Sequence, residues 1–228
     1  MAADPDFATV ALLIAEPTRA AMLAAVLGGQ ALPASELAYC AGVSPQTASM
    51  HLAKLVAAGF MRMTSSGRHR YYALSGSHVA EVLEQLSIIA RPSPIRSLRQ
   101  SEEAKALRFA RTCYDHLAGV VGVALTQRLL SMQLIEDHGT TYTITAAGFT
   151  WLEQHDINPA SVTGSRRAAI RRCLDWSERC PHVAGAFGAT LTTWLFDQEW
   201  MERVPHSRTV RLTAAGREGF RREWRLQV

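Results

Sequence analysis

The sequence predicts a mainly α fold with small β-hairpins, in which one helix–helix–turn–helix–hairpin unit is followed by two units that repeat one another. Three observations carry this reading. Apolar residues recur at helical spacing in segments bounded by Gly and Pro. Two short β-prone runs, FMRMT and RYYAL, flank a polar stretch with Gly at its middle. Residues 116–148 lie over residues 182–216 in register with one two-residue gap.

Residues 7–28 read as helical, with Pro17 at a first-turn position and Gly28-Gly29 closing the segment. Pro33 opens a short second helix that Gly42 ends. Ser44-Pro45 starts a third: Ser44 caps, and Pro45 takes the first helical position, where its missing N–H costs nothing. Val43, Ala48, Leu52 and Leu55 give this helix its apolar face, and Gly59 ends it. FMRMT and RYYAL, joined through Ser65-Ser66-Gly67-Arg68-His69, then form a hairpin. Val79, Val82, Leu83 and Leu86 place a further helix at about 78–89. This order is that of a winged helix-turn-helix, expected over residues 1–90. RPSPIRSLRQ (91–100), with two prolines and three arginines, reads as a linker.

Beyond it the chain duplicates itself. His116 aligns with His182, Gly119 with Gly185, Gly122 with Gly188, Leu125 with Leu191, and the Thr-Ala-Ala-Gly of 145–148 with that of 213–216. Each unit reads as a helix, a hairpin and a final helix opened by Thr. The repeats are expected at 101–158 and 159–228 as degenerate winged-helix-like units. The bridging SRRAAIRRCLDWSERC reads as a helix. Leu125, Leu129 and Leu130, like Leu191, Leu195 and Phe196, look like core, so these units are expected to bury one another rather than touch bases.

Bulk properties narrow the function. With 228 residues, 48% of them hydrophobic, a packed core is available. The net charge of +4 is a mild basic bias, carried almost wholly by Arg, which suits a polyanionic partner. The opening MAADPDFATV has neither the basic nor the apolar region of a secretory signal. No apolar stretch approaches the ~20 residues of a membrane span. A cytoplasmic protein with reduced thiols, and no membrane partner, is therefore expected. Phosphate-loop, nucleophile-elbow and His-Glu-x-x-His motifs are missing, so the chain does not read as an enzyme. The rival reading is a thiol or metal-dependent enzyme using Cys113 and His116.

A helix that enters the major groove must present short polar side chains near its N-terminus. Ser44, Gln46, Thr47, Ser49 and His51 stand there, with Gln46 suited to adenine and Ser44 and Thr47 to phosphates. Arg68 and Arg70, at the hairpin tip by Gly67, suit the backbone or the minor groove. The pattern from Ser35 to Leu74 resembles the ArsR family of bacterial repressors. Leu37, Ala38, Ala41, Gly42, Ser44, Thr47, Ser49, His51, Leu52, Leu55, Gly59, Gly67, Arg68, Tyr72 and Leu74 match its winged-helix signature. The resemblance covers about residues 7–90. It implies a repressor that grips double-stranded DNA as a homodimer, paired through the first and last helices of this domain. Met50 departs from the pattern, standing where relatives often carry Arg or Lys.

The resemblance also raises the question of an effector. Metal-sensing relatives carry clustered thiols on the helix before recognition, where this chain has Cys40 alone. Zinc-sensing relatives use paired ligands on the last helix of the domain, where Gly76, His78, Ile89 and Pro92 fall and only His78 is a ligand type. The tail is the better place for a sensor. Cys113 and His116 are expected on one helical face, and His182 repeats His116, with Cys173 and Cys180 upstream of it. If the repeats pack about a pseudo-two-fold axis, the two His approach across the seam. Cys113 and Cys173 then complete a mixed N/S site for a soft or borderline metal, or for haem, a possibility to which Cys180-Pro181 adds. Two alternatives stay open: a small-molecule effector pocket lined by Trp151, Trp176, Trp194 and Trp200, and a purely structural tail in a ligand-independent regulator.

Overall fold

The computed structural model describes residues 4–91, 94, 95, 97–164 and 167–228. The chain forms two compact units, one up to Leu83 and one from Glu84. Part of the expected linker, at positions 92, 93 and 96, lies outside the described residues, as does Pro92 in the broken zinc-sensor pattern. The linker's end is helical.

In the first unit the order is α1 (Phe7–Ala15), α2 (Pro17–Val26), β1 (Leu32–Pro33), α3 (Ala34–Ala41), α4 (Pro45–Ala57), β2 (Met61–Ser66), β3 (His69–Leu74) and α5 (Ser77–Ile89), which runs past the division at Leu83. The single helix expected at 7–28 is two helices. Pro17 drives Glu16 into an extended conformation, and the freed carboxylate accepts from the N–H groups of Thr18 and Arg19, capping α2. Arg19 closes the end of α1 by donating to the Leu12 carbonyl at 2.9 Å. Gly42 ends α3 in the left-handed region at φ 66°, and the chain reverses there into α4. β2 and β3 pair antiparallel from Met61↔Leu74 to Ser66↔His69. β1 adds through Leu32↔Tyr72, giving the sheet order β1-β3-β2. Strand β1 was not foreseen; two residues are too few to show a period. Met22, Leu23, Val26, Leu37, Leu52, Leu55 and Leu74 form the core, and each such side chain contributes ~1.5–3 kcal/mol by leaving water.

The second unit continues with α6 (Leu98–Phe109), β4 (Arg111–Cys113), β5 (His116–Ala118), α7 (Gly119–Ser131), β6 (Ile135–Asp137), β7 (Tyr142–Ile144), α8 (Ala146–Gln154) and α9 (Ala160–Thr163). After these come β8 (Arg171–Leu174), β9 (Pro181–Ala184), α10 (Gly185–Asp197), β10 (Met201–Arg203), β11 (Val210–Leu212) and α11 (Ala214–Trp224). Each repeat is therefore hairpin, helix, hairpin, helix. This corrects two expectations. Cys113 and His116 sit on facing strands rather than one helix, and residues 171–174 of the bridging segment are strand. Gly119 and Gly185, both at φ 81°, make the turn from strand to helix that the apolar run through HLAGVVG conceals.

The repeats interlock reciprocally, the central helix of each lying on the first hairpin of the other. Leu117 N–H donates to Thr192 Oγ1, and the equivalent Val183 N–H donates to Thr126 Oγ1, both at 2.9 Å. Those hydroxyls in turn donate to Gly188 and Gly122 carbonyls, at 2.8 and 2.9 Å. The Thr-Ala-Ala-Gly sequences are helix starts: Thr145 and Thr213 cap α8 and α11. A Cβ on Gly148 or Gly216 would lie 2.1 or 2.0 Å from the carbonyl oxygen of Leu134 or Trp200. Trp151, Trp194, Trp200 and Trp224 pack ring on ring in the core, with centroids 5.0–6.2 Å apart. The aromatic effector pocket drawn from sequence is thus corrected. Trp151, Trp194 and Trp200 fill space rather than line it, and Trp176 lies apart from them, beneath Arg111.

Candidate nucleic-acid interface and buried Cys/His cluster

Helix α4 buries Ala48, Leu52 and Leu55 and leaves Gln46, Ser49, Met50 and Ala53 exposed along its other side. Ser44 caps the helix, accepting from Thr47 N–H at 3.2 Å, and its hydroxyl lies 3.0 Å from Thr47 Oγ1. Ser49 donates to the Pro45 carbonyl at 2.9 Å, so both serines are already positioned by their own backbone. Gln46 projects from the first turn, where the helix's unpaired N–H groups favour a phosphate nearby. Arg68 and Arg70 are exposed at the turn of the β2–β3 wing, made tight by Gly67 at φ 56°. His51 is a correction. It is half-buried, with Nδ1 3.2 Å from Glu16 and 3.5 Å from Arg19, and so braces α2 against α4 instead of joining the exposed polar face.

In the second unit the duplication brings four ligand-type side chains together. Cys113 pairs with His116 across β4–β5, and Cys173 with His182 across β8–β9. The ligand atoms of all four lie within 4.8 Å of one another. Sγ of Cys113 stands 3.8 Å from Sγ of Cys173, and Nε2 of His116 3.1 Å from Nε2 of His182. Cys113, His116 and His182 are buried and Cys173 partly so. Cys180, grouped with them from sequence, is outside the cluster. It sits at the far end of the β8–β9 turn, where its carbonyl accepts from Asp175 N–H. Haem is corrected on the same geometry, because no porphyrin plane fits among donors this close.

Two carboxylates that the sequence reading missed face the outer nitrogens of the histidines. Asp115 Oδ1 lies 3.3 Å from His116 Nδ1, and Asp175 Oδ2 lies 3.4 Å from His182 Nδ1. Each is held by an arginine, Asp115 by Arg167 and Asp175 by Arg111. Asp175 also accepts from Gly119 N–H at 2.7 Å and from Ser177. The signal was present: Arg-x-Cys-x-Asp occurs at 111–115 and again at 171–175. Burial works against the Asp175 carboxylate, but the Arg111 guanidinium and the Gly119 N–H outweigh it and hold the acid well below its usual range. Burial likewise opposes ionisation of Asp115, and its bonds to His116 and Arg167 bring the carboxyl down. The hydrogen bond between the two thiols, with burial, pushes Cys113 well up. The same bond and both imidazoles pull Cys173 down.

A helix-turn-helix domain family matches residues 14–64. The HTH-type transcriptional regulator YdfF of Bacillus subtilis is 40% identical over 225 residues, 99% of this chain and all of that protein. The chain belongs to the HTH-type transcriptional regulators. CmtR of Mycobacterium bovis, another HTH-type transcriptional regulator, is 38% identical over 73 residues, 32% of this regulator and 61% of CmtR. Among solved structures, the Mycobacterium tuberculosis cadmium sensor CMTR is 32% identical with a TM-score of 0.31, over 40% of this chain and 99% of that one. The Mycobacterium bovis protein Mb0332, solved as a homodimeric winged helix-turn-helix domain, is 23% identical with a TM-score of 0.32, over 39% and 89%. The YdfF match, alone among these, runs through both repeats. Among the described residues, no single helix is long and apolar enough to cross a membrane.

Proposed function

We propose that this regulator binds an operator in duplex DNA as a homodimer and represses transcription from the cytoplasm, with α4 in the major groove and the β2–β3 wing on the backbone. The observation that carries the reading is the exposed polar side of α4, Gln46 and Ser49 beside capped Ser44, in the same unit as the exposed wing arginines Arg68 and Arg70. Dimerisation rests on α1, nine mostly apolar residues with none buried, and on exposed Val82, Leu86 and Ile89 of α5. Burial of Cys113 argues against the thiol-enzyme alternative, because a nucleophilic cysteine must be reached by its substrate and this one is enclosed.

The test is an anisotropy titration of the full chain on duplex from upstream of its own gene and on a scrambled control, with salt varied. Tight, sequence-dependent binding with a steep salt slope is expected. Arg68→Ala and Arg70→Ala should each lower that slope by about 1 and weaken all duplexes alike. Gln46→Ala should cost ~1–3 kcal/mol on the operator only. Equal affinity for both duplexes, or none at low salt, overturns the reading.

A further inference from the structure

We infer that Cys113, His116, Cys173 and His182 bind one zinc-class divalent ion in a closed tetrahedral site, each repeat supplying one thiolate and one imidazole. The site lies outside the DNA-reading unit and is argued independently of it.

The hydrogen-bond inventory of the cluster is the first ground. Asp115 and Asp175 are acceptors facing His116 Nδ1 and His182 Nδ1, which calls for a proton on each Nδ1. Each Nε2 is then left with a lone pair, and the two lone pairs meet head on at 3.1 Å. A cation between them removes that conflict. The carboxylate behind each imidazole is the support that orients a metal-binding histidine and raises its basicity. His182 Nδ1 makes no hydrogen bond as the side chains stand. Binding through Nε2 would fix its proton on the side of Asp175.

The edges of the cluster are the second ground. Zn–S bonds of ~2.3 Å and Zn–N bonds of ~2.05 Å in a tetrahedron require an S···S edge of about 3.8 Å and an N···N edge of about 3.3 Å. The S···S and N···N edges stand at 3.8 and 3.1 Å, and all four ligand atoms lie within 4.8 Å of one another, close enough for one ion to draw them in. Borderline-soft zinc suits two thiolates and two imidazoles, whereas magnesium and calcium prefer oxygen. Four protein donors leave no open position, which is the pattern of a structural site rather than a catalytic one. Since the ligands come two from each repeat, the ion ties the repeats together at their pseudo-two-fold axis. Binding would release the thiol protons to solvent, and Arg111 and Arg167 already offset the two outer carboxylates.

The test uses the full chain, prepared without oxygen, stripped with a chelator and titrated with cobalt(II), with no DNA present. One equivalent per chain should bind, with the intense visible bands of four-coordinate cobalt and a near-ultraviolet thiolate charge-transfer band, both bleached by zinc(II). Cys113→Ser and Cys173→Ser should abolish the charge-transfer band or halve it and weaken binding at least ~10-fold. Asp115→Asn should weaken binding ~10–100-fold with the bands retained. Cys40→Ser and Cys180→Ser should change nothing. A pale six-coordinate spectrum, no uptake by a chain whose thiols are free, or full binding in the Cys113→Ser/Cys173→Ser double variant overturns the inference. Should the serine variants fail to fold, alkylation of the wild-type chain decides. Zinc(II) must slow modification of Cys113 and Cys173 relative to chelated protein and leave Cys40 and Cys180 as they were; equal rates overturn it.

Discussion

Arg111 and Asp175 are both fully buried and joined at 2.8 Å, with the guanidinium lying 4.3 Å from the centre of the Trp176 ring. Removing two charges from water costs several kcal/mol per ion, and the fold offsets this by satisfying both oxygens of the carboxylate. Its partners are Arg111, Gly119, Ser177 and the Glu178 N–H. Cutting one partner leaves a buried charge uncompensated, so Asp175→Asn should lower unfolding free energy by ~3–5 kcal/mol, read as a shifted midpoint in urea. The exposed pair Arg99–Glu103 is equally short at 2.8 Å but stands in water, and Glu103→Gln should cost less than ~1 kcal/mol in the same assay. A similar cost for both would mean that burial does not set the worth of the Asp175 pair. Legibility at this scale was uneven. The two His followed from the repeat alignment, because a duplicated chain brings equivalent residues toward one axis, and Cys113 and Cys173 were named only as their upstream neighbours, together with Cys180. The aspartates did not, because two residues separate Cys113 from His116 and eight separate Cys173 from His182. Aligning on His alone therefore moved the Cys-x-Asp halves out of register.

Between elements, the seam of the second unit depends on one hydroxyl from each central helix. Thr192 on α10 and Thr126 on α7 each accept a buried backbone N–H from the other repeat. Val is nearly the shape of Thr but cannot accept, so Thr126→Val or Thr192→Val leaves an amide unpaired at ~1–3 kcal/mol. The costs should be alike in the two variants, since the two contacts are equivalent; a calorimetric melt checks this, and a loss in one variant only would contradict it. Helices α3 to α5 were readable from Pro, Gly and 3-and-4 spacing because they carry their own start and stop signals, whereas α1 and α2 were read as one helix. Strands β4, β5, β8 and β9 were not. They are three or four residues long, and tertiary pairing overrides the helical preference of their Leu, Ala and Arg residues. His51 was misread for a related reason: on a helix it lies one turn beyond Thr47, but only the packing of α2 reveals that Glu16 reaches it.

For the whole molecule, the apolar residues that found no place within one chain are the informative ones. Phe7 is 76% exposed, Leu12 71% and Ile89 79%, on helices otherwise well formed. Scattered exposed apolar residues are ordinary, but a nine-residue helix with mostly apolar side chains and none buried is not. On the proposed function the occupant is a second copy, because a dimeric regulator would reach two half-sites about 34 Å apart on a two-fold operator. In sedimentation equilibrium the wild-type chain should have twice its 25.0 kDa mass, and Leu12→Glu with Ile89→Glu should return it to the single mass, because an unpaired carboxylate in an apolar interface is strongly unfavourable. Operator affinity should fall with the dimer, since each half-site is then bound without the high local concentration that the partner supplies. Circular dichroism of the variant must match the wild type for the result to count, and both substitutions lie on exposed positions where folding should tolerate them. A wild-type chain of single mass that still binds its operator tightly would remove the dimer from the account and leave α1 without a function.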